Sequence, residues 1–387
     1  MAIEFLQYPA SCSLAQSPIV CAVSESVTGS IASSSFQYIA ELYYWTGSES
    51  DSGSFSDFTL AKYPNQQLAG IFDFSKIINS TLEDTIKENP SNVVFFKADC
   101  YHQFISASAF VTSSHVETGV YKAIDGYAIF QEPISQSIED KTPYWPIMSD
   151  GPSIQTSFDG NIGRMGIFAW SGSGDIPDAV LYSGGIQSSS FDITGSADTS
   201  GQIATFPIGN GEADFPLSSS YDFFTVTPLK LGAAIGDEIR FNIECEKKYP
   251  NVRIQWKNRF GQFDYLNFNL VSRESFNTDI KTFQRQIGSW DSQTLSYQNY
   301  DSANQNYSTD SQQTLTVNSD WLSEDYNEIL KQLMVSDEIY WIYNETTGDV
   351  RPITIQTNTI QFKTNVVDKL IQYSFDFQFG QAYKLIL

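Results

Sequence analysis

The sequence predicts a mainly β protein of antiparallel, sandwich-like domains, with two short amphipathic helices at about 75–89 and 321–335. Three observations carry that prediction. Of 387 residues only 17% are charged, against 41% hydrophobic and 14% aromatic. That composition suits half-buried strands joined by polar turns, and an acidic disordered chain would be poor in aromatics. Apolar and polar residues alternate at the strand period, most regularly over 372–379. Helical spacing is confined to the two stretches already named.

The elements follow in order. Residues 36–44, FQYIAELYY, read as a strand, the Ser/Gly/Asp stretch 47–57 as a turn, and 58–63 as the returning strand. After a strand at 71–74, Phe74, Ile77, Ile78, Leu82 and Ile86 recur at helical spacing up to Asn89-Pro90. Strand patterns over 93–110 and 120–130 complete an N-terminal β-rich domain, 1–135. A middle domain, 136–229, is rich in Ser and Gly, and no Lys or Arg occurs over 165–229. It reads as short strands and long loops, with 188–201 open between strand and disorder. The C-terminal β-rich domain, 230–387, opens with ten of the 22 basic residues between Lys230 and Arg285. Its strands read as 239–244 and 252–256, then a hairpin whose turn at 259–261 uses Gly261 for positive φ. A polar loop at 292–314 precedes the second helix, with Trp321, Leu322, Tyr326, Ile329, Leu330, Leu333 and Met334 on one side. Closing strands are expected at 338–343, 350–356, 359–364 and 370–379.

Charge narrows the function. Lys and Arg number 22 against 45 Asp and Glu, a net charge of -23. Phosphate binding needs a basic surface, so neither a nucleic-acid nor a membrane partner is expected. The first 61 residues hold no Lys or Arg, so no secretion signal is expected, and no apolar run approaches the roughly 18 residues of a membrane span. Cys12, Cys21, Cys100 and Cys245 form no CxxC pair and read as reduced, buried thiols, with a Cys12–Cys21 disulfide left open. His102 and His115 lack any nucleophile motif and read as satisfied strand histidines. Gly209-Asn210-Gly211 resembles a phosphate loop only until Glu212 and Asp214, which would repel phosphate. The carboxylate pairs Asp175/Asp178, Glu212/Asp214 and Asp237/Glu238 read as solvated loops, leaving a glycan-cleaving enzyme as the remotest alternative. Glu49, Asp51 and Asp57, or Asp150 and Asp159, lack EF-hand spacing. No catalytic residue, cofactor or metal is therefore expected. Tyr43, Tyr44, Trp45, Trp145 and Trp170 suit a core or an interface. Trp145 and Trp170 are also candidate glycan contacts, because a flat ring suits a sugar face.

The run 248–268, KYPNVRIQWKNRFGQFDYLNF, holds a denser pattern: Trp256, one residue, Asn258-Arg259, an apolar residue, Gly261, then Asp264 among aromatics and a closing Phe268. It resembles a pattern in virion structural proteins of tailed phages, notably those infecting Bacteroidota. Weaker patches agree in order along the chain: Ser17-Pro18-Ile19-Val20, Tyr63-Pro64-Asn65, Gly70-Ile71-Phe72-Asp73-Phe74-Ser75, Trp145-Pro146-Ile147-Met148 and Asp320-Trp321-Leu322-Ser323-Glu324. The resemblance implies a non-enzymatic, tail-associated building block that contacts other virion proteins and forms a symmetric homo-oligomer. It would be assembled in the host cytoplasm and reside in the virion. An adhesin that recognises host-surface glycans is the alternative. The residues alone predict that Trp256 and Phe268 are buried on paired strands, and that Asn258 and Asp264 bond the turn's backbone. They also predict that Arg259 pairs with Asp264 across the hairpin.

Overall fold

A computed structural model of the chain describes residues 3–25, 35–50, 53, 55–82, 93–130, 132, 137–138, 147–168, 178–193, 196–197, 202–209, 211–212, 215, 221–230, 233–234, 236–244, 249–362 and 371–380. Contacts group the chain into two compact units. One is Met1–Glu246 with Trp256–Tyr265 and Glu328–Ser336; the other is Lys247–Gln255 with Leu266–Asn327 and Asp337–Leu387. The grouping is not linear in sequence. The division 1–135, 136–229 and 230–387, drawn from composition, stands beside it as an expectation.

The first unit begins with β1 (Ile3–Gln7), β2 (Cys12–Leu14), β3 (Val20–Glu25), β4 (Gln37–Thr46), β5 (Ser56–Lys62) and β6 (Ala69–Asp73). After helix α1 (Ser75–Asn79) come β7 (Val93–Ser106), β8 (Ala109–Thr112), β9 (Val116–Glu117) and β10 (Tyr121–Ile124). One sheet has the order β1-β3-β6, and a larger one runs β2-β10-β7-β4-β5 with β8 and β9 also on β7. Alternation decides which faces meet. Tyr38, Ala40 and Leu42 of β4 and Val94, Phe96, Ala98 and Cys100 of β7 share one core with Ile3, Cys21, Val23 and Phe72 of the smaller sheet. The hairpin expected from 36–63 is β4–β5, antiparallel from Tyr38↔Lys62 to Tyr44↔Ser56.

Helix α1 is shorter than its apolar spacing predicts. Asp73 accepts the Ser75 N–H at its start. At its end the Ser80 and Thr81 hydroxyls donate back to the Ile77 and Ile78 carbonyls, over a stretch that is already turn. Residues 83–89, including Ile86, lie outside the described residues.

The unit continues with β11 (Ile154–Phe158), β12 (Arg164–Phe168), β13 (Asp178–Ser183), β14 (Ile186–Asp192), β15 (Ser196–Ala197) and β16 (Ile203–Pro207). Then follow β17 (Phe223–Thr227), the two-residue strands β18 (Leu229–Lys230) and β19 (Ala233–Ala234), and β20 (Ile239–Glu244). Sheets β11-β20-β17-β13-β14 and β12-β16-β15 share a core of Met165, Ile167, Phe206, Phe224, Val226 and Phe241. Most pairings are antiparallel, but β10–β2 and β11–β20 are parallel, which corrects the all-antiparallel expectation. Each parallel pair joins strands far apart in sequence, which supplies the long crossover that parallel pairing needs.

The second unit is built on a seven-stranded sheet of order β22-β21-β27-β28-β29-β26-β23. Its strands are β21 (Val252–Lys257), β22 (Phe263–Phe268), β23 (Arg273–Gln284), β26 (Asn304–Asn318), β27 (Ile339–Asn344), β28 (Asp349–Ile355) and β29 (Ser374–Phe379). Two-residue strands β24 (Ser289–Trp290) and β25 (Leu295–Ser296) pair between β23 and β26. The alternation over 372–379 is real: Tyr373, Phe375, Phe377 and Phe379 are buried while Gln372, Ser374 and Asp376 are exposed. The strand expected at 359–364 is absent over its described part, 359–362.

The second helix also starts late, as a single 3₁₀ turn at Glu324–Tyr326 leading into α2 (Asn327–Val335). Upstream, Leu322 exchanges backbone hydrogen bonds with Ile371, which holds the chain extended, and Trp321 is exposed instead of joining the buried side.

Candidate functional site: the hairpin turn at Arg259

The pattern singled out in the sequence is a hairpin turn between β21 and β22. The Gly261 N–H donates to the Asn258 carbonyl at 3.1 Å, and the Asn258 N–H to the Gln262 carbonyl at 2.7 Å. Gly261 has φ +70°, the left-handed residue that closes such a loop. The Asn258 side chain braces it, Oδ1 accepting the N–H groups of Phe260 and Gln262 and Nδ2 donating to the Met148 carbonyl at 2.8 Å. Trp256 and Phe268 are fully buried on neighbouring strands, as expected.

The turn interlocks with residues 125–127. Tyr127 N–H donates to the Arg259 carbonyl at 2.9 Å. A Cβ on Gly126 would lie 2.0 Å from that carbonyl oxygen, and one on Gly261 would lie 2.8 Å from the Cβ of Asp125. Backbone meets backbone here, so only glycine fits. Phe260 is buried in a cluster with Trp45, Phe95, Met148 and Phe168.

Arg259 is buried, and its guanidinium is held by two carboxylates. Nη1 donates to both Glu132 oxygens at 2.9 Å, Nη2 donates to Asp150 Oδ1 at 3.0 Å, and Nε donates to Asp150 Oδ2. Gln332 of α2 completes the set, accepting the Arg259 N–H at 3.1 Å and donating to Asp150 at 2.7 Å. Burial works to lower the Arg259 pKa, but the hydrogen bonds and charges of Asp150 and then Glu132 raise it above its ordinary value. Beside it Lys257 pairs with Asp125 at 2.6 Å.

Asp264 departs from expectation. It pairs neither with Arg259 nor with the turn backbone; its Oδ1 accepts the Ser149 hydroxyl at 2.6 Å. Its Oδ2 has no hydrogen-bond partner among the described residues. Burial first, and the nearby Asp150 charge, push its pKa up to about 7, against hydrogen bonds from Ser149 and Asn258. Arg259 reaches Asp150 and Glu132 because the guanidinium lies among residues brought in by the fold. Those partners, 109 and 127 residues away, carry no signal at short range.

Chemically the arrangement is a rivet. Two carboxylates, Glu132 and Asp150, hold the one Arg259 guanidinium, and Lys257 pairs with Asp125 beside it. An open cavity of about 650 Å³ adjoins it, lined by residues including Tyr127, Phe130, Arg259, Lys331 and Val335.

The other residues weighed in the sequence are scattered. Trp145, Trp170, Asp51, Asp175, Asp214 and Cys245 lie outside the described residues. Cys12, Cys21 and Cys100 are buried free thiols, and the hydrogen bond with Cys21, together with burial, pushes the Cys100 thiol up. Trp45 is core, and Asp237 and Glu238 are exposed. His102 is not the satisfied residue expected. It is buried beside Phe36 and Phe104, its Nδ1 lies 3.6 Å from Glu25, and neither ring nitrogen makes a hydrogen bond among the described residues. Burial lowers its pKa while the Glu25 charge opposes. His115 bonds Asp99 at 2.7 Å and stacks on Tyr101 at 4.2 Å, and the Tyr101 and Tyr43 hydroxyls donate to Glu41. Strand parity could have found this surface cluster, since Lys97, Asp99 and Tyr101 share a face of β7. Among the described residues no group of three or more His, Cys, Asp or Glu could hold a metal ion, and no helix is long and apolar enough to cross a membrane.

Comparison with known proteins adds little. No family model matches the chain, and no curated protein matches it. Among solved structures, a titin fragment overlaps at TM-score 0.24 and 8% identity, and the complex of Dpr2 Ig1-Ig2 with DIP-Theta Ig1-Ig3 at TM-score 0.17 and 10% identity. Each covers 64% of this chain and 100% of the other. Overlaps of that size fix neither fold nor activity.

Proposed function

We propose that this chain is a non-enzymatic, tail-associated structural protein of a tailed-phage virion, assembling through protein contacts into a symmetric oligomer. One observation carries the reading: β23 and β26 extend past the rest of their sheet as a ribbon whose outer strand, β23, is exposed along its whole length. The neighbouring strand β29 pairs only with Thr314–Asn318, whereas β23 and β26 pair out to Gln284↔Asn304. All twelve residues of β23 are exposed, Phe276, Ile280 and Phe283 among them. A two-stranded ribbon is marginal on its own in water, so such an arm suits a protein whose surface is completed by others. The Arg259 rivet agrees, since the arginine of the shared pattern is used to hold the fold. Sandwich-like pairs of sheets suit a building block, and buried free thiols suit assembly in a reducing host cytoplasm.

A second reading, recognition of host-surface glycans, is favoured by Trp290, Tyr297 and Tyr300, exposed between β23 and β26. Electron cryomicroscopy of purified particles and of the expressed chain separates the two. A symmetric tail-associated assembly with the ribbon at a contact is expected. A monomer absent from particles, binding a glycan through those rings, would overturn the structural reading.

A further inference from the structure

The large sheet of the first unit carries a core on each face. Successive residues of β7 and β10 alternate between them: Val94, Phe96, Cys100 and Ala123 join one, Val93, Phe95 and Ile124 the other. The cysteines divide accordingly. Cys21 of β3 and Cys100 of β7 belong to the first core, whereas Cys12 lies in the second with Trp45 and Phe260. Cys12 and Cys21 therefore lie on opposite faces of the sheet, and the disulfide between them that the sequence left open does not fit. Cys21 and Cys100 do meet. They come from the two sheets that face each other across this core, both are fully buried, and their thiols are hydrogen-bonded.

We propose that Cys21 and Cys100 are a latent disulfide, which staples the two sheets of this sandwich when the chain meets a small-molecule disulfide such as oxidised glutathione. Each thiol gives up its S–H bond, and one S–S bond forms between them. The small disulfide's S–S bond breaks, and its two halves leave as thiols carrying the two protons and two electrons. The sulfurs need only close from contact to the bonding distance of about 2 Å. The hydrogen bond with Cys21 and burial raise the Cys100 thiol, so the pair is inert in the closed sandwich and reacts when it opens locally. The bond closes a loop running from residue 21 to residue 100, and a long loop gives a disulfide a large effect on the unfolded chain. The staple needs no virion: any passage from a reducing to an oxidising compartment supplies the reaction.

The test uses the full chain, purified with its thiols reduced and then held with oxidised glutathione just below its melting temperature. Alkylation, proteolysis and mass spectrometry should find the peptides of Cys21 and Cys100 joined, the pair lighter by about 2 Da than its two thiol peptides. Dithiothreitol should undo the link. The oxidised chain should melt about 5 °C or more above the reduced one. Cys100→Ala should lose both the link and the oxidant's effect on melting, whereas Cys12→Ala keeps both. Cys21 and Cys100 recovered as alkylated thiols, joined instead to Cys12 or Cys245, or held only as glutathione adducts, would overturn the proposal. A link that leaves the melting temperature unchanged would overturn the staple.

Discussion

The hairpin at 256–268 and the ribbon at 273–318 are successive antiparallel hairpins in one stretch of chain, yet they are opposites energetically. The first buries Trp256, Phe260 and Phe268 completely and answers Arg259 with two carboxylates. The second leaves a whole strand exposed and sets Asp279 against Asp310. Local sequence marks the first as an aromatic hairpin but reads 292–314 as a polar loop, whereas Asn304–Asn318 is a strand, because exposed polar residues give no buried face for the strand period to mark. The difference is the distant residues that arrive: Asp125, Glu132, Asp150 and Gln332 reach the first. Stability accrues where long-range partners satisfy a turn, and β23 gains no strand neighbour but β26 among the described residues.

The comparison breaks most sharply at Gly261. Gly261→Val demands positive φ from a β-branched residue and drives a side chain into Asp125, so a loss above about 3 kcal/mol is expected, read as insoluble or unfolded protein. A Gly261→Val chain that melts like wild type would show that the turn is not anchored this way.

Next is Arg259→Met, which strands the partly buried Glu132 and Asp150 and should cost on the order of 3 kcal/mol in denaturant unfolding. Arg259→Lys should recover only part, because an ammonium cannot serve both carboxylates through a planar fork.

Asp264 sharpens the picture through pH. Its folded pKa of about 7 stands above the ordinary carboxylate value, so the folded state holds the proton more tightly. Its contribution is present in full below about pH 4 and is lost as pH rises toward 7. Asp264→Asn should remove that slope and be the more stable protein at pH 8, by on the order of 1–4 kcal/mol, measured as the difference between the two pH-stability curves. Parallel curves would show that the carboxyl is ionised throughout.

The smallest effect belongs to the ribbon. Trp290→Ala should change stability by less than about 0.5 kcal/mol, since the ring is 67% exposed, and a thermal melt checks it. A larger loss would mean that the ribbon is part of a folded core.

Much of the fold was legible from the residues. The alternation over 372–379 predicted the buried aromatics of β29, because a period of two is a local property of the backbone. Positive φ at Gly261 and the bracing by Asn258 were equally local, resting on contacts four residues apart or fewer. Helix lengths were not, since α1 gives way to hydroxyl-capped turns and α2 yields its first residues to an extended pairing with Ile371.

The site divides the same way. The residue types and spacing of 256–268 identified a tight, buried hairpin. Arg259 could have met any of 45 carboxylates, and its true partners lie more than 100 residues away. Only the packing of sheets could bring Asp150 and Glu132 to it and leave Asp264 short of a partner. The parallel pairs β10–β2 and β11–β20 were decided at that same level. Sequence determines what its near neighbours can satisfy, turns and strand faces. Tertiary structure decides which distant charges meet and which edge stays bare, because those energies arise only once the chain has closed on itself.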